Sequence, residues 1–171
     1  PSLAAIFAAR YYSQQYRVPH PKRQAEPFPH LDESARFPEI LGAAGVRTVT
    51  VDATGWLLNE FGIVRGFADE RTLRVAGGGY PGSTEVLPAL AARIAEAPTG
   101  PVFAFAHVLD AHAPYNSVTK KGPPEERYLA ELGKVDEAVR KLRAELERRR
   151  LWERTVLVVY SDHGEAFGEH G

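Results

Sequence analysis

The sequence predicts an α/β fold with a mostly parallel sheet and helices on both of its faces, and three observations predict it. Val156–Tyr160 is a run of branched and aromatic residues without polar alternation, the pattern of a strand covered on both sides. Pro101–Leu109 repeats that character. Two further stretches carry apolar residues at helical spacing, Val86, Leu87, Leu90 and Ile94 in one and Leu129, Leu132, Val135, Val139, Leu142 and Leu146 in the other. Both apolar runs break into polar clusters, Asp110-Ala-His112-Ala-Pro-Tyr115 and Ser161-Asp162-His163-Gly164. In open α/β sheets ligands bind outside the carboxyl ends of strands, so these two clusters are where chemistry is expected.

The elements follow in order. Pro1 to Tyr11 reads as a helix, with proline in the first turn and alanine-rich positions after it. Val18 to Leu31 is rich in Pro, His and charge and reads as a surface loop, with no role for His20 or His30. A short helix over Ala35–Ala44 tolerates Pro38 only in its first turn, and Gly45 suits its C-cap. Val46–Asp52 reads as a strand. The Gly77-Gly78-Gly79 stretch lacks the Gly-Lys-Ser/Thr of a phosphate-cradling loop and reads as a surface loop. Ser83 caps a helix over Glu85–Ala97, and a long helix runs from Glu125 to Arg150 to cover the sheet.

Composition excludes several classes. With 171 residues, 44% of them hydrophobic, the chain can bury one sizeable core. A formal charge of −1 gives no polyelectrolyte footprint, so nucleic acid is not an expected ligand. The absence of cysteine removes thiol catalysis, disulfides and cysteine-based zinc sites. No apolar run reaches the length of a membrane span. The chain begins at Pro1 and holds no methionine, so a leader or anchor is expected to be able to precede it.

Asp162 offers a hard oxygen and His163 an imidazole nitrogen where the backbone leaves the strand, with Gly164 permitting a sharp turn. This reads as a pair of metal ligands or as an acidic turn beside a histidine. Ser161-Asp-His-Gly-Glu-Ala-Phe-Gly-Glu-His-Gly171 resembles the late signature of the sulfatase family, within the alkaline-phosphatase-like superfamily, where the Asp and the following Asn or His bind the active-site metal. Asp110-Ala-His112-Ala-Pro-Tyr115 resembles that family's Asp-Pro-His-x-Pro-Tyr, whose histidine contacts ester oxygens and assists proton transfer. Pro1-Ser2 resembles the Pro-Ser that follows the family's nucleophile, Val46–Asp52 its Ala-Gly-Tyr-x-Thr strand, and Arg65-Gly66-Phe67 its Gly-Phe-Asp.

The resemblance implies a three-layer, alkaline-phosphatase-like sandwich, represented by residues 1–171 as one partial domain. The first strand and the C-terminal part would lie outside it. It implies a metal-dependent sulfuric ester hydrolase, with a phosphodiester or phosphonate hydrolase, or a phosphoglycerol- or phosphoethanolamine-type transferase, as alternatives. A non-catalytic binding protein on the same scaffold is the rival from another class. Asp162 and His163 would hold one divalent metal, Ca2+ or Mn2+/Zn2+. His112 would be the catalytic and substrate-binding histidine, and His107 and Asp110 are further substrate-binding candidates. His107 reads equally as a core histidine.

The nucleophile would stand two residues before Pro1, so these 171 residues alone are expected to be inactive. Leu3, Ala8-Ala9 and Gln15-Tyr16 replace the family's Arg, Thr-Gly and His-Gly, so a Thr or Ser nucleophile fits at least as well as a formylglycine, and an inactive site is a further alternative. The expected substrate is a small-molecule, glycan or lipid ester of sulfate or phosphate, and export is implied by the family alone.

Overall fold

A computed structural model describes residues 2–75, 79–96 and 100–169. Pro1, Gly77, Gly78 and Ala97, on which earlier expectations fall, lie outside the described residues. The elements are α1 (Ser2–Ala8), β1 (Val18–His20), β2 (Arg23–Phe28), α2 (Phe37–Ala43), β3 (Arg47–Asp52), β4 (Asp69–Thr72), α3 (Ser83–Ala95), β5 (Val102–His107) and α4 (Pro124–Arg148). β4, β3 and β5 form a parallel sheet in that order, with β3 in the centre.

Alternation along β3 divides the layers. Val51 and Ala53 lie on one side and meet Val86 and Leu90 of α3, together with Ala104 and Ala106 of β5. Leu87 and Ala91 then pack against Ala138, Leu142 and Leu146 of α4. On the other side Phe105 joins Leu3 and Phe7 of α1, Leu57, Val64 and Phe67, with Phe37 and Phe103 packed alongside. Phe7 stacks on Phe37 at 4.5 Å and meets Phe105 edge-on at 4.9 Å. Helices thus cover both faces of the sheet, as an alkaline-phosphatase-like sandwich requires.

The turns follow from particular residues. Gly45 lies at φ 83° after α2, its N–H donating to Gly42 O at 3.0 Å while Val46 N–H donates to Leu41 O at 3.0 Å. That is the Schellman pattern, which the expected C-cap glycine serves. Gly62, at φ 74°, is more tightly held, because a Cβ there would lie 2.5 Å from Pro29 O and 2.7 Å from His30 Cα. Gly62→Ala should therefore cost about 2 kcal/mol or more, since left-handed strain and a backbone clash add. An unchanged urea midpoint would contradict that reading.

Four expectations are corrected. Val156–Tyr160 forms no strand and pairs with none among the described residues, and Val156 is 89% and Val158 71% exposed. Residues 18–28 form an antiparallel hairpin rather than a loop, with Val18 opposite Phe28 and Pro19 opposite Pro27. In a two-stranded ribbon proline can occupy an outward edge, so its missing N–H is tolerated. His20 is buried there, 4.5 Å from the Phe61 ring and 4.7 Å from that of His30. Of its expected stripe the long helix buries only Leu142 and Leu146, joined by Ala138, whereas Leu129 and Leu132 are exposed. Its first half packs a polar loop instead. Finally, Ser83 is the first residue of α3 rather than its cap, and Glu85 Oε2 accepts from Gly82 N–H at 2.9 Å.

Candidate functional site

The carboxyl end of β5 runs into the loop that carries His112. Three α4 residues, Tyr128, Glu131 and Lys134, recur every third position and so share a helix face. That face fixes the loop. Fully buried Glu131 accepts from Ser117 N–H at 2.6 Å, from Val118 N–H at 3.1 Å and from the Ser117 hydroxyl. Lys134 Nζ reaches Ser117 Oγ at 3.0 Å and Asp110 Oδ1 at 2.9 Å. Asp110 also accepts from Ser83 N–H at 2.7 Å and Ser83 Oγ at 3.1 Å. Its carboxylate therefore joins α3, α4 and the loop.

Within the loop His112 N–H donates to Leu109 O at 3.0 Å, and its Nδ1 lies 2.8 Å from Ala113 O. With Nδ1 donating to that carbonyl, Nε2 is left as the acceptor of an exposed ring. The Ala113–Pro114 peptide is cis, and Tyr115 follows at φ 51° with a buried ring.

The tail bearing Asp162 and His163 is fastened onto this loop by aromatic rings and one carboxylate. Phe167 lies 6.0 Å from Tyr115 and 5.4 Å from Tyr128, and the two tyrosines meet edge-on at 5.6 Å. The Tyr115 hydroxyl donates to Glu165. Burial first, then that carboxylate, push the tyrosine up to about 12, so it stays a proton donor at any ordinary pH. Asp162 Oδ1 and His163 Nε2 stand 3.7 Å apart, and His163 Nδ1 lies 2.8 Å from Gly164 O. The Gly164 carbonyl, then Asp162, raise the basicity of that largely exposed imidazole.

His107 links the two segments. Burial lowers its basicity, Asp162 opposes that effect and His112 adds to it, so both groups lie within electrostatic range of its ring. The structure thus brings His107, His112 and Asp162 to one end of the sheet, with His163 beside Asp162. Two of the departures from the expected nucleophile segment lie in the core. Leu3 is buried among Phe7, Leu57 and Phe105, and Gln15 is buried with its Nε2–H donating to Ala4 O at 2.8 Å.

As a metal site, Asp162 and His163 are right in kind, a hard oxygen and an imidazole nitrogen whose other ring nitrogen is held by a carbonyl. They are two donors, and no three His, Asp or Glu side chains converge on one point among the described residues. A divalent cation wants four to eight ligands, so this pair supplies part of a coordination shell.

Sequence reasoning missed Asp52 and the clamp made by Tyr115, Glu165 and Phe167. Asp52 could have been found by its position, a carboxylate ending a Thr/Val strand at the edge where ligands bind. Glu165 and Phe167 stood inside the tail motif without an assigned contact.

The sequence model of the sulfatase family matches residues 1–171. No curated protein matches the sequence. Among solved structures, the lipoteichoic acid synthase LtaP from Listeria monocytogenes is similar at TM-score 0.52 and 16% identity, covering 68% of this chain and 34% of its own. The chain therefore spans about a third of that protein's length, and the likeness is one of fold. A match over every residue, on a parallel sheet sandwiched by helices, means that the chain belongs to the sulfatase family.

Proposed function

We propose that the parent protein is a metal-dependent enzyme that cleaves or transfers sulfate or phosphate esters, with its ester site at the carboxyl end of β5. The observation that carries this reading is that the loop bearing His112 and the tail bearing Asp162 and His163 are clamped together, the Tyr115 hydroxyl donating to Glu165 and Phe167 packing on Tyr115 and Tyr128. Asp162 and His163 would donate two ligands to a divalent cation, which would supply Lewis acidity to the ester oxygens when bound. His112, with Nδ1 held by a carbonyl, would present Nε2 to an ester oxygen and hold or deliver a proton there. Tyr115, Glu165 and Phe167 would keep the two segments at a fixed separation. The imidazole of His163 favours Mn2+ or Zn2+ over Ca2+, and with it the phosphoryl branch over sulfuric ester hydrolysis. Export of the parent protein belongs to the same family reading; no described helix is long and apolar enough to cross a membrane.

The test is turnover of an aryl sulfate and a bis-aryl phosphate by the intact parent protein, together with its metal content. Asp162→Ala and His112→Ala should each lower kcat/KM by about a hundredfold or more on the preferred ester, without loss of the folded state. Turnover that survives both substitutions would remove the reading. Calcium as the resident metal would count against the phosphoryl branch.

A second reading, a binding protein on this scaffold, draws on Leu3 and Gln15, which occupy the positions of family active-site residues yet serve the core. A residue other than Cys, Ser or Thr two positions before Pro1 would favour it.

A further inference from the structure

Asp52 ends the central strand, is fully buried, and has one oxygen occupied: Thr50 Oγ–H donates to Oδ2 at 2.9 Å. The other oxygen, Oδ1, is buried with no hydrogen-bond partner among the described residues. On either side, in register across the parallel sheet, stand Thr72 of β4 and His107 of β5. Register partners share a face of the sheet, roughly 4.8 Å from strand to strand. Thr72 Oγ1 and His107 Nδ1 are likewise buried and partnerless among the described residues. A carboxyl with a spare acceptor thus sits in a row between a spare hydroxyl and a spare ring nitrogen. Buried polar atoms are nearly always satisfied, so three orphans in one row across the sheet call for an explanation.

We infer that Asp52 is a positioning residue for His107, accepting a hydrogen bond from its Nδ1–H at Oδ1 and so fixing the tautomer that leaves Nε2 as the acceptor. The chemistry favours this arrangement. An ionised carboxylate at full burial needs donors on both oxygens; Thr50 serves Oδ2, and Oδ1 has His107 and Thr72 beside it. Burial, reinforced by Glu70, pushes the Asp52 carboxyl up to about 7, so it takes or releases a proton in the range where His107, held down by burial, stays neutral. The facing titratable groups are Glu70 and His107 around Asp52, and Asp162 and His112 around the His107 ring. A carboxylate behind an imidazole fixes the tautomer and orientation of the outward nitrogen. His107 would then act on the ester site as an acceptor at Nε2, a role that the open ring alone would not impose.

The inference rests on the ester-site reading only for what Nε2 faces, and its first measurement needs no substrate. Nitrogen-15 spectra of the histidine rings in the intact parent protein at pH 8 should show His107 protonated at Nδ1 and bare at Nε2. Asp52→Leu should move His107 toward the Nε2–H tautomer and leave His112 unchanged. Asp52→Asn, whose carbonyl can still accept, should keep the wild-type tautomer. An Nε2–H tautomer in the wild type would overturn the inference even if Asp52→Leu failed to fold, and so would an unaltered His107 in a folded Asp52→Leu variant. Where the parent turns over an ester, Asp52→Leu should lower kcat by about tenfold or more with KM within about twofold. The predicted tautomer with no turnover on any ester would preserve the Asp52–His107 couple and defeat the ester reading instead.

Discussion

Asp52→Asn should make the protein more stable in mild alkali and leave it nearly unchanged in mild acid. The buried carboxyl is raised from its ordinary 3.8 to about 7, chiefly by loss of hydration and secondarily by Glu70. Between those two values the unfolded chain has released the proton and the folded chain retains it. The folded state therefore binds more protons there, and stability falls as pH rises from about 4 to about 7. The full displacement corresponds to on the order of 4 kcal/mol, and the hydrogen bond inferred from His107 Nδ1–H to Oδ1 offsets part of it, so the gap should open but stay below that figure. Asparagine cannot ionise, so the stability gap between variant and wild type should open across that pH window and then stay constant. Urea unfolding at pH 4, 5.5 and 8 measures it. A gap no wider at pH 8 than at pH 4 would show that the buried carboxylate is already compensated.

Asp32→Ala should have the opposite sign and a comparable size. Arg36 is wholly buried, and its guanidinium donates to Asp32 Oδ1 at 3.1 Å, Ser34 O at 2.6 Å and Gly62 O at 3.1 Å. Asp32 itself accepts from Tyr16 N–H at 2.7 Å and from Ser34 N–H at 3.1 Å and also from the Ser34 hydroxyl. Burial alone would raise this carboxyl, but the bonds from Ser34, Tyr16 and Arg36 outweigh it and hold it at about 2. Removing Asp32 strands a buried cation, which costs about 3–5 kcal/mol. Because this carboxyl is depressed, its contribution is present above the ordinary 3.8 and is lost as pH falls toward 2. The penalty of Asp32→Ala should accordingly shrink below pH 4. A loss under about 1 kcal/mol at pH 7 would mean that Arg36 finds water or another acceptor.

Much of the frame was readable before any coordinates. The α3 stripe of Val86, Leu87 and Leu90 is buried as its spacing demanded, and Gly45 ends α2 as a left-handed cap. His112 and the Asp162–His163 couple were singled out because both follow an apolar run that breaks into polar residues. What escaped depends on partners distant in sequence. Glu131 is buried in α4 only because Ser117 and Val118 present their amides to it, so a helical stripe counted on leucines alone points the wrong way. The hairpin over 18–28 was hidden by its prolines, which read as loop unless the strand is known to be an edge. Asp52 carries no pattern of its own; its significance comes from lying level with Thr72 and His107.

The ribbon Val156–Tyr160 presents Val156, Val158 and Val159 to solvent, and β5 pairs through one edge among the described residues. A length of chain with such a bare β-forming segment and an open strand side is a template for stacking between molecules. Expressed as these 171 residues alone, the protein should be soluble only at low concentration, and its deposits should bind amyloid dyes. Val158→Lys should relieve that tendency without altering the helical signal, and unchanged light scattering after the substitution would assign the stickiness elsewhere. The same stretch that leads into the Asp162–His163 pair is thus the one most in need of cover.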